Sequence, residues 1–433
     1  MVMRPSVCLR RLGEGKRPQE VGFGRFLSNP KVTVDRLIAG WSDQTVTACA
    51  GRHVLAVQDT SEISFHTTSK RRRGLGEIGK GGRPRGLLLH AMLALDAETG
   101  TCLGLAGGQI WNRSGRVKDD RHERRAEAKE SHRWVATAEQ AKATLAAATK
   151  VTVVADRESD TFAVWANLPA PDFHLIVRVM QDRCLADDAG KLYQAVAAQP
   201  VSATRTVDLP ERDGQRAARS ATLSLRFGPV ELAPPKNSKE PDWPVAVSLN
   251  CIEVIEQDPP EDAEPVHWRL LTTHPLPDAK AAWQIVDWYK MRWVIEQFWR
   301  LLKRQGLKLE DSQIETAERL LKLTAIATKA AVLTLQLLQA RDGRSHEPAK
   351  TAFGPNELAL LDRLAVKYKG RTPLQQNPHQ SSSLAWAAWL IARLGGWDGY
   401  PSSKPPGPIT FKHGIEQFHA MITALALLDV CIP

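Results

Sequence analysis

The sequence predicts an α/β fold with a β-rich insertion and a helical C-terminal region. Three observations carry that expectation. Two short apolar runs, Val54–Val57 and Val151–Ala155, each lead into an aspartate, Asp59 and Asp156, and helix-like segments alternate with them as in an α/β layer. Composition shifts between Asp182 and Pro265, where Pro, Asp and Glu rise and period-two patterns appear, such as Leu223, Leu225, Phe227 and Val245, Val247, Leu249. Beyond Asp278 the chain reads as strongly helical.

In chain order, the opening segment to Gly40 is basic, with Arg4, Arg10, Arg11, Lys16, Arg17, Arg25 and Lys31, and a short helix is expected over Val34–Ala39. The strand Val54–Val57 stops at Gln58-Asp59-Thr60, which places Asp59 at its carboxyl end. A Gly- and Arg-rich loop, Lys70–Arg85, precedes the apolar run Leu87–Leu95 and a third strand-like stretch, Cys102–Gln109. A helix is expected over Ala126–Lys150, then the strand ending at Asp156, a helix over Asp160–Leu168 and a strand over Phe173–Val179. After the insertion come a strand at Trp268–Thr273 and helices over Asp278–Gln305 and Thr316–Arg341. The remainder, Ser345–Pro433, holds an apolar helix at Leu384–Leu394, a turn at Pro405-Pro406-Gly407-Pro408 and a last helix over Gly414–Asp429. The expected division is a basic N-terminal region (1–45), an α/β core (46–180 and 265–343), a β-rich insertion (181–264) and a helical C-terminal region (344–433). The Leu-rich C-terminal helices suit dimerisation or ordinary core packing equally.

A chain of 433 residues can bury a substantial core. Lys+Arg 58 against Asp+Glu 48 gives a net charge of +10, which suits a polyanionic partner without separating DNA from RNA or a membrane surface. The cysteines are scattered without C-x-x-C spacing, which argues against a zinc ribbon or a disulfide framework and for reduced thiols in the cytoplasm. No apolar run reaches the roughly 18 residues of a membrane span, and no signal peptide is evident.

The helix Ala281–Gln305 carries two stripes. Trp288, Met291, Ile295, Phe298 and Leu302 follow steps of three and four, as a buried face does. Tyr289, Arg292, Glu296 and Lys303 lie about 100° round the same helix. Alone, that second stripe is a solvated face with an Arg292–Glu296 ion pair contributing about 0.3–0.5 kcal/mol. The aspartates change its meaning, because α/β sheets place functional groups outside the carboxyl ends of their strands, making Asp59 and Asp156 neighbours. With Glu296 they make a hard, oxygen-rich set suited to Mg²⁺ or Mn²⁺. Two such ions can act on both sides of a phosphodiester.

Tyr289-x-x-Arg292-x-x-x-Glu296-x-x-x-x-x-x-Lys303 resembles the Y-R-E-K signature of the "IS-four" family of bacterial insertion-sequence transposases, relatives of the transposase of transposon five. Val57-Gln58-Asp59-Thr60 is similar to the family's first-aspartate strand, and Ala155-Asp156-Arg157-Glu158-Ser159-Asp160 to its D-R-E-A-D motif, with Ser159 in place of Ala. Lys129-Glu130-Ser131 with Trp134, and Ala392-Arg393-Leu394-Gly395-Gly396, also match in order, so the resemblance runs from Gly22 to the last helix.

The resemblance implies an RNase H-like catalytic core interrupted by the β insertion, and cut-and-paste transposition driven by Mg²⁺ (or Mn²⁺), a pair of ions held by Asp59, Asp156 and Glu296. It implies that Tyr289, Arg292 and Lys303 grip phosphates near the cleaved end. Trp268 is implied to stack on a flipped base, although sheet packing explains that tryptophan as well. Arg178 sits where the family has a DNA-contacting arginine, or is a plain surface cation. The implied partners are double-stranded DNA, both transposon-end inverted repeats and target DNA, and a second copy of the chain in a homodimer; no membrane is involved. Excision through a hairpin is implied by the family alone.

Family members carry a longer N-terminal segment that reads the end sequence, whereas residues 1–21 alone precede Gly22 here. A catalytically idle regulator that forms inactive dimers is therefore an alternative, and a general Mg²⁺ nuclease is another. Other features carry less. Gly74–Gly81 approaches a phosphate-binding loop but lacks the Ser/Thr after Lys80, and Lys70–Arg73 is a solvated basic run or a phosphate contact beside Asp59. His122, Glu123 and His132 lack zinc-site spacing.

Overall fold

The computed structural model describes residues 1–65, 74–79, 84–113, 125–211, 217–236, 238, 240–261 and 263–430. Lys70–Arg73, Lys80, Gly81, His122 and Glu123 lie outside them. The strands are β1 (His53–Ser64), β2 (Gly76–Glu77), β3 (Arg85–Asp96), β4 (Cys102–Trp111), β5 (Lys150–Ala155), β6 (Phe173–Arg178), β7 (Ala203–Leu209), β8 (Arg219–Leu232), β9 (Val247–Glu256) and β10 (His267–Thr272). They form one ten-stranded sheet in the order β4-β3-β1-β5-β6-β10-β9-β8-β7, with the short β2 also paired to β3. β1, β5 and β6 run parallel, and the other neighbours are antiparallel. The strands of the expected insertion thus extend the same sheet, joined through β10.

The helices are α1 (Leu9–Leu12), α2 (Arg17–Ser28), α3 (Val34–Ala39), α4 (Asp43–Ala48), α5 (Arg133–Thr144), α6 (Phe162–Asn167), α7 (Leu192–Ala197), α8 (Ala279–Met291), α9 (Trp293–Arg300), α10 (Ala317–Ala340), α11 (Pro355–Lys367), α12 (Leu384–Leu394) and α13 (Pro408–Val430). They cover both sheet faces, which is why Val54–Val57 of β1 and Leu87–Leu95 of β3 read as apolar runs without a polar alternation. Period-two alternation sorts the side chains. Leu55, Val57 and Val154 join α8, α9 and α10 in one core cluster, while Val54, Ala56, Val153 and Ala155 join α5, α6 and α7 in the other. On this parity Asp59 and Asp156 belong to the face covered by α8 and α9. A third cluster joins the end of α10 to α11, α12 and α13, so the C-terminal leucines have core partners within the chain.

The basic N-terminal segment packs on α10: Trp41 Nε1 donates to the Ala325 carbonyl at 2.9 Å, and Lys322 Nζ to the Asn29 carbonyl at 3.0 Å. α10 spans almost the residues expected, and although no membrane-length apolar run was expected it is, among the described residues, the one helix long and apolar enough to cross a membrane; most of it is buried in this core.

Several boundaries differ from the sequence expectation. β1 continues to Ser64, so Asp59 lies within a strand, opposite Ala91 of β3; the carboxyl end belongs to the parallel ladder, whose last pair is Val57 with Val154. The expected helix over 126–150 shortens to α5, preceded by 3₁₀ turns. Val245 is 90% exposed and precedes β9, so its place in the period-two run was coincidental. The helix expected over 278–305 is broken. It tightens at Arg292, where Arg292 N bonds the Tyr289 carbonyl and Ile295 N the Arg292 carbonyl, and loosens into a π turn at Leu301–Gln305.

At the amino ends of the parallel strands, Thr152 Oγ1 lies 2.8 Å from both His53 Nε2 and His274 Nε2, and His174 stacks on His274 at 4.0 Å. Burial, then the neighbouring charges of Lys150, His174 and His53, lowers His274 to about 3; burial and Lys150 lower His53 to about 4, with Asp96 opposing. Protons therefore bind the unfolded chain more readily than the fold. Stability is expected to fall as pH drops below about 6.5 and to keep falling toward pH 4. Thermal unfolding between pH 7.5 and 4.5 checks this, and His274→Gln should flatten the slope.

Candidate active site

Asp59, Asp156 and Glu296 reach one region from three elements. The β1–β5 register places Asp156 level with Asp59 two residues beyond the Val57–Val154 pair, and α9 crosses that face with Glu296. Asp59 is 8% exposed; its Oδ2 accepts a 3.0 Å hydrogen bond from Trp299 Nε1. Asp156 caps the turn Arg157–Ser159, accepting from Glu158 N at 3.0 Å. Glu296 is half-exposed.

Arg292 stands among them. Its Nη1 is 3.8 Å from Asp59 Oδ2 and its Nη2 3.3 Å from Glu296 Oε1. Burial raises the Asp59 carboxyl to about 7 and the Asp156 charge adds to it, against the smaller help of Trp299 and Arg292; Glu296 pushes the same way as Asp156. Burial also opposes the Arg292 charge, but Tyr289, Asp59, Asp156 and Glu296 together hold it above its ordinary value. One guanidinium thus serves three carboxylates and leaves Asp59 short of positive charge. Among the described residues no three His, Cys, Asp or Glu side chains are gathered closely enough to hold an ion as they stand. Arg292 Nη1, buried and without a hydrogen-bond partner, lies where a cation would compensate them.

The other expected residues border this centre. Tyr289 is buried, with Trp268 edge-on at 5.4 Å. Arg178, paired with Leu270 across the β6–β10 ladder, donates to the His267 carbonyl at 3.3 Å; burial lowers its pKa, with Tyr289 opposing. Tyr289, Arg178, Arg292 and Trp268 therefore form one group beside the carboxylates. Lys303, in the π turn, lies on the β1 side, donating to the Glu62 carbonyl at 2.7 Å and 3.5 Å from the Glu310 carboxylate. Sequence reasoning missed Trp299, although its three-residue step from Glu296 puts it on a neighbouring face of α9.

What the arrangement offers is a hard oxygen set, a cation shared among the carboxylates and flanking donors for anionic oxygens. Residues 59–333, well over half of the chain and beginning at Asp59, match the family model described as the transposase DDE domain.

Proposed function

Because the chain belongs to the transposase DDE-domain family, we propose that it is a cut-and-paste DNA transposase of the "IS-four" kind in which Asp59, Asp156 and Glu296 hold a pair of Mg²⁺ or Mn²⁺ ions. The family uses divalent metal ions, and the observation that carries the assignment here is the shared cation: Arg292 faces Asp59 and Glu296 and feels Asp156. All donors are carboxylate oxygens, and burial together with the neighbouring Asp156 charge drives Asp59 toward neutrality, so the set fits a hard divalent ion that would offset both. When bound, such ions activate water or a 3′-hydroxyl and stabilise the leaving oxygen at a phosphodiester. An RNase H-like core is part of the proposal, supported by the order β4-β3-β1-β5-β6, an antiparallel meander followed by parallel strands.

The chain's own groups do the rest. Trp299 fixes the orientation of Asp59. Arg292, which now faces the carboxylates, would be free to contact a phosphate once their charge is met by ions, and Arg178, Tyr289 and Lys303 would hold neighbouring phosphates. Trp268 receives an unstacked base on its exposed side, its edge contact with Tyr289 keeping the ring upright. The duplex carries the element's inverted repeats, a homodimer pairs two ends, and the reaction takes place on cytoplasmic DNA.

Incubation with Mg²⁺ and DNA bearing the flanking inverted repeats tests the reading. Excision through a 3′-hydroxyl nick and a hairpin supports it; binding without cutting would make the chain an idle regulator, and indiscriminate cutting a general nuclease. Trp268→Ala is expected to lower the hairpin-to-nick ratio by about 5- to 150-fold, corresponding to about 1–3 kcal/mol of stacking, with Trp268→Phe largely restoring it.

A further inference from the structure

The parallel ladder between β1 and β5 ends at Val57–Val154, short of both aspartates, so contacts beyond that ladder bear on their separation. Arg133, the first residue of α5, makes such a contact from the opposite sheet face. Its Nε donates to Thr60 Oγ1 at 2.8 Å, its Nη2 to Glu158 Oε2 at 2.7 Å and its Nη1 to the Glu130 carbonyl at 3.0 Å. Thr60 follows Asp59, and Glu158 lies in the turn that Asp156 caps. The guanidinium is steadied over the Trp134 ring at 5.3 Å and the Trp111 ring at 5.8 Å, and the side chain is 12% exposed.

The network continues inward. Gln58 Oε1 can only accept, so a neutral His90 carries its proton on Nε2 and donates to it at 3.1 Å. That leaves His90 Nδ1 to accept from the Thr60 hydroxyl, 2.8 Å away, while the same oxygen accepts from Arg133. Burial lowers the His90 pKa far below its ordinary value and Arg133 adds to this, so the ring is neutral as the relay requires. Gln58 and Thr60 flank Asp59, and both are held from behind by side chains of β3 and α5.

We propose that Arg133 is a positioning residue that sets the spacing of Asp59 and Asp156, and with it their affinity for divalent ions. This rests on the metal reading proposed above. An outer residue that orients metal-bearing carboxylates typically changes metal affinity by about 10–100-fold. A lysine cannot replace it, because its single ammonium does not fork between Thr60 and Glu158.

The test is thermal unfolding of the full chain without DNA, titrated with Mn²⁺. Wild type is expected to show a saturable rise in Tm that Asp59→Asn and Asp156→Asn abolish. Arg133→Gln should raise the Mn²⁺ concentration for half-maximal stabilisation by about 10–100-fold, and Arg133→Lys should recover little of it. Thr60→Val, which keeps Arg133 and the side-chain shape, should shift the midpoint in the same direction, with the double variant no worse than the poorer single one. A lowered metal-free Tm with an unchanged Mn²⁺ midpoint in both Arg133→Gln and Thr60→Val would overturn the inference and leave Arg133 a structural residue. Failure of the wild type to respond to Mn²⁺, or a response that survives Asp59→Asn, would overturn the metal reading itself.

Discussion

Asp59→Asn, Asp156→Asn and Glu296→Gln are each expected to reduce cleavage of end-bearing DNA by on the order of 10³-fold or more, the scale on which groups stabilising transition-state charge act. Each change keeps the side-chain shape and removes the negative charge that would bind a divalent ion. Asparagine at 59 still offers an oxygen to Trp299, and it removes a charge that burial and Asp156 disfavour, so the metal-free fold should be at least as stable. Single-turnover cleavage in parallel with a gel-shift assay checks this: DNA should still be bound and not cut. Retained cleavage in all three variants would locate the chemistry elsewhere.

Arg292→Ala is expected to have the next largest effect, on stability and catalysis together. The guanidinium stands 3.8 Å from Asp59 and 3.3 Å from Glu296. Its removal leaves like charges facing one another, and the metal-free protein should lose about 1–3 kcal/mol, less than a fully buried pair would because Glu296 is half-exposed. Saturating Mn²⁺ should restore most of that loss. Cleavage should nevertheless stay about 10²-fold below wild type even at saturating Mn²⁺, since the phosphate contact is gone. Denaturant unfolding with and without Mn²⁺, beside cleavage at matched ion concentrations, separates the two effects. A loss that Mn²⁺ leaves untouched would mean that Arg292 and the ion do not share a place.

The parts of this site readable from sequence are those fixed by local periodicity. The short apolar runs Val54–Val57 and Val151–Ala155 announced adjacent strands leading into both aspartates, and the three- and four-residue steps through Tyr289, Arg292 and Glu296 put the glutamate on a helix beside them. Leu384–Leu394 and Val34–Ala39 were equally plain, the former because it is apolar throughout, the latter because Thr33 caps it. What escaped depends on distant partners. Thr60–Ser64 has little strand character apart from Ile63, yet the antiparallel ladder to β3 keeps it extended. The break at Arg292 interrupts an otherwise continuous helical pattern at the residue that faces Asp59 of β1, and the π turn precedes Gly306, whose N–H bonds the Leu301 carbonyl. α11 starts at Pro355 in a Pro- and Gly-containing stretch that resembles a loop until the Glu357 carboxylate is seen to accept from the Gly354 N–H at 2.7 Å. The network of Arg133, Thr60, His90 and Gln58 joins three elements, so no sequence spacing announces it.

The most direct measurement of the central claim is the position of Mn²⁺, by anomalous scattering from crystals of the full chain soaked in that ion. The account predicts density held by Asp59, Asp156 and Glu296, with Arg292 moved out from between them. Mn²⁺ bound elsewhere while Arg292 still bridges Asp59 and Glu296 would contradict it.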